Sequence, residues 1–220
     1  MTRGEVALFE DRAAAGLELG QRLQAEGYGA DALVLALPRG GVPVAFEVAK
    51  ALGAPLDVFT VRKLGTPGQE ELAMGAIASG GVRVMNDDLV AELGVSKENV
   101  ERVIKRESAE LARRERLYRG ARPPLEFEGR TVILIDDGIA TGASMRAAVA
   151  ALKQRHLGKL VVAVPVAAAE TCATLARKVD EIICLKTPEP FYGVGRWYKH
   201  FSQTSDEEVQ ALLKEAAAEM

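Results

Sequence analysis

The run TVILIDDGIATGAS, residues 131–144, passes from five apolar or β-branched residues into two adjacent aspartates, then into small and hydroxylated residues. A short, unbroken apolar run fits a strand covered on both faces. Gly138 and Gly142 carry no side chain, so a ligand can approach the backbone where a helix is about to begin. The first N–H groups of a helix have no partner within it and sit at the positive end of its dipole, which favours an anion. Thr141 and Ser144 add hydroxyl donors. Carboxylates beside a phosphate would repel it, so Asp136 and Asp137 read as acceptors for neutral hydroxyls on the same ligand. A sugar phosphate meets both demands.

Further runs of the same kind flank this one: ALVLAL (32–37), LDVFTV (56–61), KLVVAVPV (159–166) and EIICL (181–185). Between most of them lie helix-length segments, VPVAFEVAKAL, GASMRAAVAALKQR and AAAETCATLARKV. Such alternation predicts a single α/β domain over 1–220, a doubly wound, mainly parallel sheet with helices on both faces. An amphipathic helix is expected from Leu8 to Glu26, with Leu17, Leu19 and Leu23 on its apolar face and Gly27 near its end. The interval after the second strand is too long for a simple crossover. It reads as a long helical insertion, about 64–120, with a hairpin around Gly80 and Gly81 and a charged helix over 97–119. The sparse stripe Val100, Val103, Ile104, Leu111 and Leu117 fits a docked surface helix, or equally a contact in a homodimer.

Composition narrows the classes of function. The 220 residues carry a formal charge of −3, without the strong positive field of nonspecific nucleic-acid binding. Cys172 and Cys184 form no CxxC pair and His156 and His200 no HxxxH, so no thiolate or imidazole metal cage is visible. The cysteines are expected to be separate, small buried hydrophobes in a reducing cytoplasm. The longest apolar stretch, residues 160–169, is half of the roughly 20 residues a spanning helix needs, and no basic head with an apolar run opens the chain. The reading is of a soluble, cytoplasmic protein with no membrane partner.

A second turn has the same character. LPRGGVPVA, residues 37–45, follows the first core strand and places Arg39 before Gly40, Gly41 and a helix. The plain alternative is a glycine-tolerant turn with a surface arginine. The second strand ends in Arg62 and Lys63, a basic pair suited to a polyphosphate, or else a solvated pair. For the acidic run, the alternatives are a capped turn in which Asp137 satisfies the helix start, or an Mg²⁺ or phosphoacceptor site. It is not a Walker A loop, since no GK[ST] follows, and Gly193-Val194-Gly195 lacks the third glycine of a dinucleotide fingerprint.

VILIDDGIATGAS resembles the phosphoribosyl-pyrophosphate motif of the type I phosphoribosyltransferases. The resemblance implies that Asp136 and Asp137 hold the ribose hydroxyls, and that Gly138, Ile139, Ala140, Thr141, Gly142, Ala143 and Ser144 hold the 5′-phosphate. It makes Arg39, Gly40 and Gly41 the pyrophosphate loop, a place where family members usually carry a strained peptide, with Arg62 and Lys63 assisting. Catalysis would rest on Asp136, Asp137, Arg39, Arg62 and Lys63, with Mg²⁺ carried mainly by the bound substrate and no metal site of the protein's own. The partners implied are 5-phosphoribosyl 1-pyrophosphate, pyrophosphate and an acceptor that the residues do not identify. A hood selecting that acceptor is expected from 1–28 and 191–220. Five aromatics within 191–209 suggest a stacking surface, with Trp197 and Tyr198 as its candidates, or simple packing of the tail. Rival readings are a regulator that keeps the pocket without catalysis, touching nucleic acid through the Arg-rich stretch 102–119, and a sugar-phosphate hydrolase or phosphorylase.

Overall fold

The computed structural model describes residues 7–120, 122 and 126–218. Its strands, numbered along the chain, are β1 (Leu33–Ala36), β2 (Leu56–Val58), β3 (Val61–Thr66), β4 (Gln69–Ala78), β5 (Val82–Met85), β6 (Thr131–Ile135), β7 (Lys159–Val166) and β8 (Glu181–Lys186). The helices are α1 (Arg12–Ala25), α2 (Gly41–Leu52), α3 (Asp87–Glu92), α4 (Lys97–Arg119), α5 (Ala143–Leu152), α6 (Ala169–Ala176) and α7 (Asp206–Ala218). Five strands form a parallel sheet in the order β2-β1-β6-β7-β8, as the alternating pattern requires. From β1 the chain steps to β2 on one side, then returns to β6 on the other. The strand order therefore reverses between β1 and β6, the place where an open parallel sheet leaves a crevice at its carboxyl edge.

Successive side chains of a strand point to opposite faces. Val34, Ala36, Ile133 and Ile135 accordingly meet α1, α2 and α7 through Leu19, Leu23, Val44, Val48 and Leu213. Leu35, Leu134, Val162 and Val164 meet α5 and α6 through Met145, Val149, Leu152 and Leu175.

Helix α1 lies close on α2 because Gly16 faces it with no side chain. A Cβ at Gly16 would stand 2.6 Å from the Val44 carbonyl oxygen and 2.9 Å from the Glu47 Cβ. Gly16→Ala is therefore expected to destabilise the fold by about 1–3 kcal/mol, as overpacking does, read as a lowered urea midpoint with an unchanged slope.

Several expectations give way. LDVFTV is not one strand: pairing with β1 ends at Val58, and the chain turns through Phe59 and Thr60 into β3 of a separate antiparallel sheet, β3-β4-β5. Residues 64–120 are thus not a purely helical insertion. The second sheet came with weak signals, since the outer half of β4, QEELA, is exposed and alternates poorly. The hairpin at Gly80 and Gly81 is present, both at positive φ, and α4 has the expected ends. It docks Val103, Ile104 and Leu111 on Leu64, Met74 and Ile77, a small core of its own. Most of its arginines are committed: Arg102 to Glu98, Arg113 and Arg114 to Glu110, Arg119 to buried Asp57. That leaves little for nucleic acid.

Helix α1 begins four residues later than expected, because the Asp11 carboxylate caps it by accepting from the Ala14 N–H at 2.8 Å. Residues 8–10 instead run beside the tail, with the Leu8 and Phe9 amides donating to the Trp197 carbonyl. Leu17 faces solvent. The outermost parts of the expected hood, 1–6 and 219–220, lie outside the described residues. Cys172 and Cys184 are not separate apolar groups: the crossover through α6 sets Cys172 against β8, and the two form a disulfide. They therefore give no support to a reducing compartment. Among the described residues no helix is long and apolar enough to cross a membrane.

Candidate functional site

The loops after β1 and β6 meet at the reversal of strand order. Ala36 and Ile135 are the last register pair of the two strands, so 37–41 and 136–144 leave the sheet side by side. In the first loop the Pro38–Arg39 peptide is cis, and the Gly41 amide closes a turn on the Leu37 carbonyl at 3.1 Å before α2 begins. The loops touch through glycine. A Cβ at Gly41 would be 2.8 Å from the Ile135 carbonyl oxygen, and one at Gly40 would run into the Asp137 carboxylate.

Two cavities share this junction. One, of about 210 Å³, is lined by Asp136, the loop from Gly138 to Met145, and Val194. The other, of about 370 Å³, is lined by Arg12, Arg39, Gly40, Asp137 and the tail segment 201–204. The acidic pair stands between them, one carboxylate facing each.

The β6–α5 loop is built as an anion cradle. Gly142, at φ 71°, is the N-cap of α5, and the amides of Ala143, Ser144 and Met145 have no partner within the helix. Thr141, Ala143 and Ser144 are exposed. Gly142 is needed for its backbone conformation as well as for ligand room, since positive φ strains any residue with a Cβ. Ile139 departs from the expected role. Its side chain is buried in the core, its amide donates to the Val166 carbonyl at 2.9 Å, and its carbonyl accepts from Ala168. It anchors the loop and offers no free amide. Gly138 is small because a Cβ there would lie 2.6 Å from Val194 and 2.9 Å from Val166.

The electrostatics of the pair are unusual. Burial pushes the Asp136 carboxyl well above the ordinary carboxylate range, and the neighbouring Asp137 charge adds to that. Burial also raises Asp137, offset in part by the Arg12 guanidinium. Arg12 Nε lies 2.8 Å from Asp137 Oδ2, and the Asp137 amide donates to Asp136 Oδ1 at 2.9 Å.

The remaining expected residues fall in three places. Arg39 opens onto the larger cavity, where its Nη1 lies 3.7 Å from Asp206 Oδ1. Arg62 and Lys63 lie inside β3, opposite Ile77 and Ala76, and line neither cavity. Arg62 is held by the buried Glu107 carboxylate at 2.6 Å, so the pyrophosphate contact expected of it yields to a structural ion pair. Lys63, about half exposed, reaches only the fully exposed Glu71 at 3.2 Å. Trp197 and Tyr198 are buried against Phe9 and Val166 and present no open face for stacking. Their expected role is corrected: Tyr198 donates its hydroxyl to the Asp137 carbonyl and so buttresses the acidic pair. Arg12, Val194 and residues 202–204 were not legible as site residues, since nothing local marks contacts formed across more than a hundred residues of chain.

The comparisons agree with this geometry. Residues 19–193 match the model of the phosphoribosyl transferase domain. Proteins of Mycobacterium tuberculosis, strains CDC 1551 / Oshkosh and H37Rv, provisionally named as phosphoribosyl transferases, are 48% identical over 209 residues, 95% of this chain and 47% of theirs. The chain thus spans about half the length of the curated relatives it matches. The crystal structure of TT1426 from Thermus thermophilus superposes with a TM-score of 0.84 at 42% identity, covering 94% of this chain and 98% of that one. By sequence match and by fold, the chain belongs to the phosphoribosyl transferase domain family.

Proposed function

We propose that the protein transfers the phosphoribosyl group of 5-phosphoribosyl 1-pyrophosphate to a nitrogen acceptor and releases pyrophosphate. One observation carries this reading: the acidic pair lies between a phosphate-sized cradle at a helix start and a second cavity opened by Arg39 and Gly40. A ribose placed against Asp136 and Asp137 has its 5′-phosphate over Gly138–Ser144 and its C1′ substituent toward Arg39. The acceptor nitrogen attacks C1′ with its lone pair, the C1′–O bond breaks with its electrons leaving on pyrophosphate, and the acceptor gives up a proton. Positive charge grows on the ring and negative charge on the leaving group, so the chain's contribution is positional and electrostatic.

In this reading Asp136 and Asp137 accept from the ribose hydroxyls and face the cationic ring. Arg39 meets the departing charge, and Lys63 is the further cation available to it. Among the described residues no cluster of three or more His, Cys, Asp or Glu is placed to hold a metal. A Mg²⁺ ion would be carried by the substrate's own pyrophosphate and ribose oxygens, where it would neutralise the leaving group. The polar lining of the larger cavity, with Arg12, Ser202, Gln203 and Thr204, supports a hydrogen-bonding acceptor over one gripped by aromatic faces.

Arg39 separates a transferase from a sensor. Only contacts that strengthen as the bond breaks accelerate the chemical step. With Mg²⁺ and a working acceptor, Arg39→Ala is expected to lower kcat by roughly 10²–10³-fold, the range for losing one charge-stabilising group, and to leave ribose 5-phosphate affinity within about twofold. If the wild-type chain binds phosphoribosyl pyrophosphate yet releases no pyrophosphate with any nucleobase or simple amine, the transferase reading fails and a binding role replaces it.

A further inference from the structure

Arg12 stands outside every motif in the chain, yet it touches the acidic pair. It is the first residue of α1, directly after the Asp11 cap. A cation there sits at the positive end of the helix dipole, the unfavourable end for it. Local preference therefore does not explain an arginine at this place, and rules broken locally cluster where function compensates.

The compensation is visible on three sides. Arg12 Nε lies 2.8 Å from Asp137 Oδ2, Nη1 donates to the Ser202 carbonyl at 2.7 Å, and the guanidinium lies 3.9 Å from the centroid of the Phe201 ring. Phe201 is stacked in turn on Tyr198, at 5.1 Å, and the Tyr198 hydroxyl donates to the Asp137 carbonyl. The Arg12 side chain is only 11% exposed. One guanidinium thus ties the N-terminal helix, the acidic loop and the C-terminal tail at a single point. A lysine ammonium could make the ion pair but not the planar, forked set of contacts.

We infer that Arg12 is a positioning residue for the acidic pair, aiming the Asp137 carboxylate across the larger cavity and keeping it ionised for the ribose hydroxyls. This rests on the reading of the pair as the ribose site. The charged groups facing Asp137 are Asp136 from the same loop, Arg12 from α1, Tyr198 from the tail, and Arg39 across the cavity, itself paired with Asp206. Asp136 opposes the Asp137 charge. Arg39 has its own carboxylate, so Arg12 is the cation in direct contact.

The test uses the full chain with ¹³C-labelled aspartate. The titration of the acidic pair is followed by carboxyl NMR, with Asp137→Asn identifying which signal belongs to Asp137. In Arg12→Gln the Asp137 carboxyl is expected to titrate at least one pH unit higher than in wild type, with Arg12→Lys between the two. Ribose 5-phosphate affinity at pH 6 should fall on the order of tenfold in Arg12→Gln, one pKa unit being a factor of ten, and recover as pH rises toward 8.5. If Arg12→Gln does not fold, the Arg12→Lys shift alone decides. An Asp137 titration unmoved in a folded variant overturns the proposal, as does an affinity loss equal at every pH. If the titration moves while neither wild type nor variant binds ribose 5-phosphate, the ribose reading fails and the positioning role stands.

Discussion

Asp136→Asn combined with Asp137→Asn is expected to weaken 5-phosphoribosyl 1-pyrophosphate by roughly 10²–10⁴-fold, since each charge-assisted hydrogen bond is worth about 1.5–3 kcal/mol. Calorimetry on the folded double variant measures it, and unchanged affinity would remove the acidic pair from the ribose site. Asp136→Asn alone should at the same time make the protein more stable at pH 7. Burial and the Asp137 charge raise the folded-state value of Asp136. Between the unfolded and folded values the folded chain therefore binds more protons, and wild-type stability falls as pH climbs past the ordinary carboxylate range. Asparagine escapes this cost while keeping an oxygen for the Asp137 amide. A rise in Tm of about 2–4 °C, roughly 1 kcal/mol at this size, should shrink toward zero as the pH is lowered to about 4, the ordinary carboxylate range. Asp137→Asn should show no such gain, because it leaves Arg12 without its carboxylate.

The second large effect is expected at Gly40. Its φ of −59° and ψ of −30° suit any residue, so only contact forbids a side chain there. Gly40→Val drives its branched carbon into the Asp137 carboxylate, displacing it from both Arg12 and the ligand. Affinity for phosphoribosyl pyrophosphate should drop by more than about 100-fold, the equivalent of one or two charge-assisted bonds, against a stability loss of about 1–3 kcal/mol from overpacking. Gly29→Ala, in open surroundings and with no positive φ, serves as the control and should bind like wild type. Equal affinities for the two variants would show that the loops do not constrain each other.

The parallel sheet was legible because its strands are buried on both faces and so appear as solid apolar runs. TVILI and KLVVAVPV kept their boundaries in the structure. The phosphate cradle was legible because its chemistry is local, a strand end, small residues and a helix start within nine positions. What stayed hidden was nonlocal or half-exposed. β3 was absorbed into the preceding strand because VRK continues the run LDVFTV without a turn residue, while the sheet edge is set by where β1 runs out. The tail aromatics signalled a surface and turned out to be a core, since Phe9 and Val166 come from distant segments to cover Trp197. Helix α7 and the disulfide were missed for the same reason, and Arg12 meets Asp137 only after the sheet and both termini are assembled.

The stitching of the phosphate loop bears on the entropy of binding. Ile139 is hydrogen-bonded on both sides to the end of β7 and the residue that caps α6, and the Thr171 hydroxyl holds the Ala140 carbonyl at 2.8 Å. The cradle is therefore ordered before any anion arrives. Ordering an interface usually costs about 0.5–1.5 kcal/mol for each side chain immobilised, and here folding has already met that cost for the loop. The conformational freedom left to lose on binding belongs to the exposed hydroxyls of Thr141 and Ser144 and to the ligand itself.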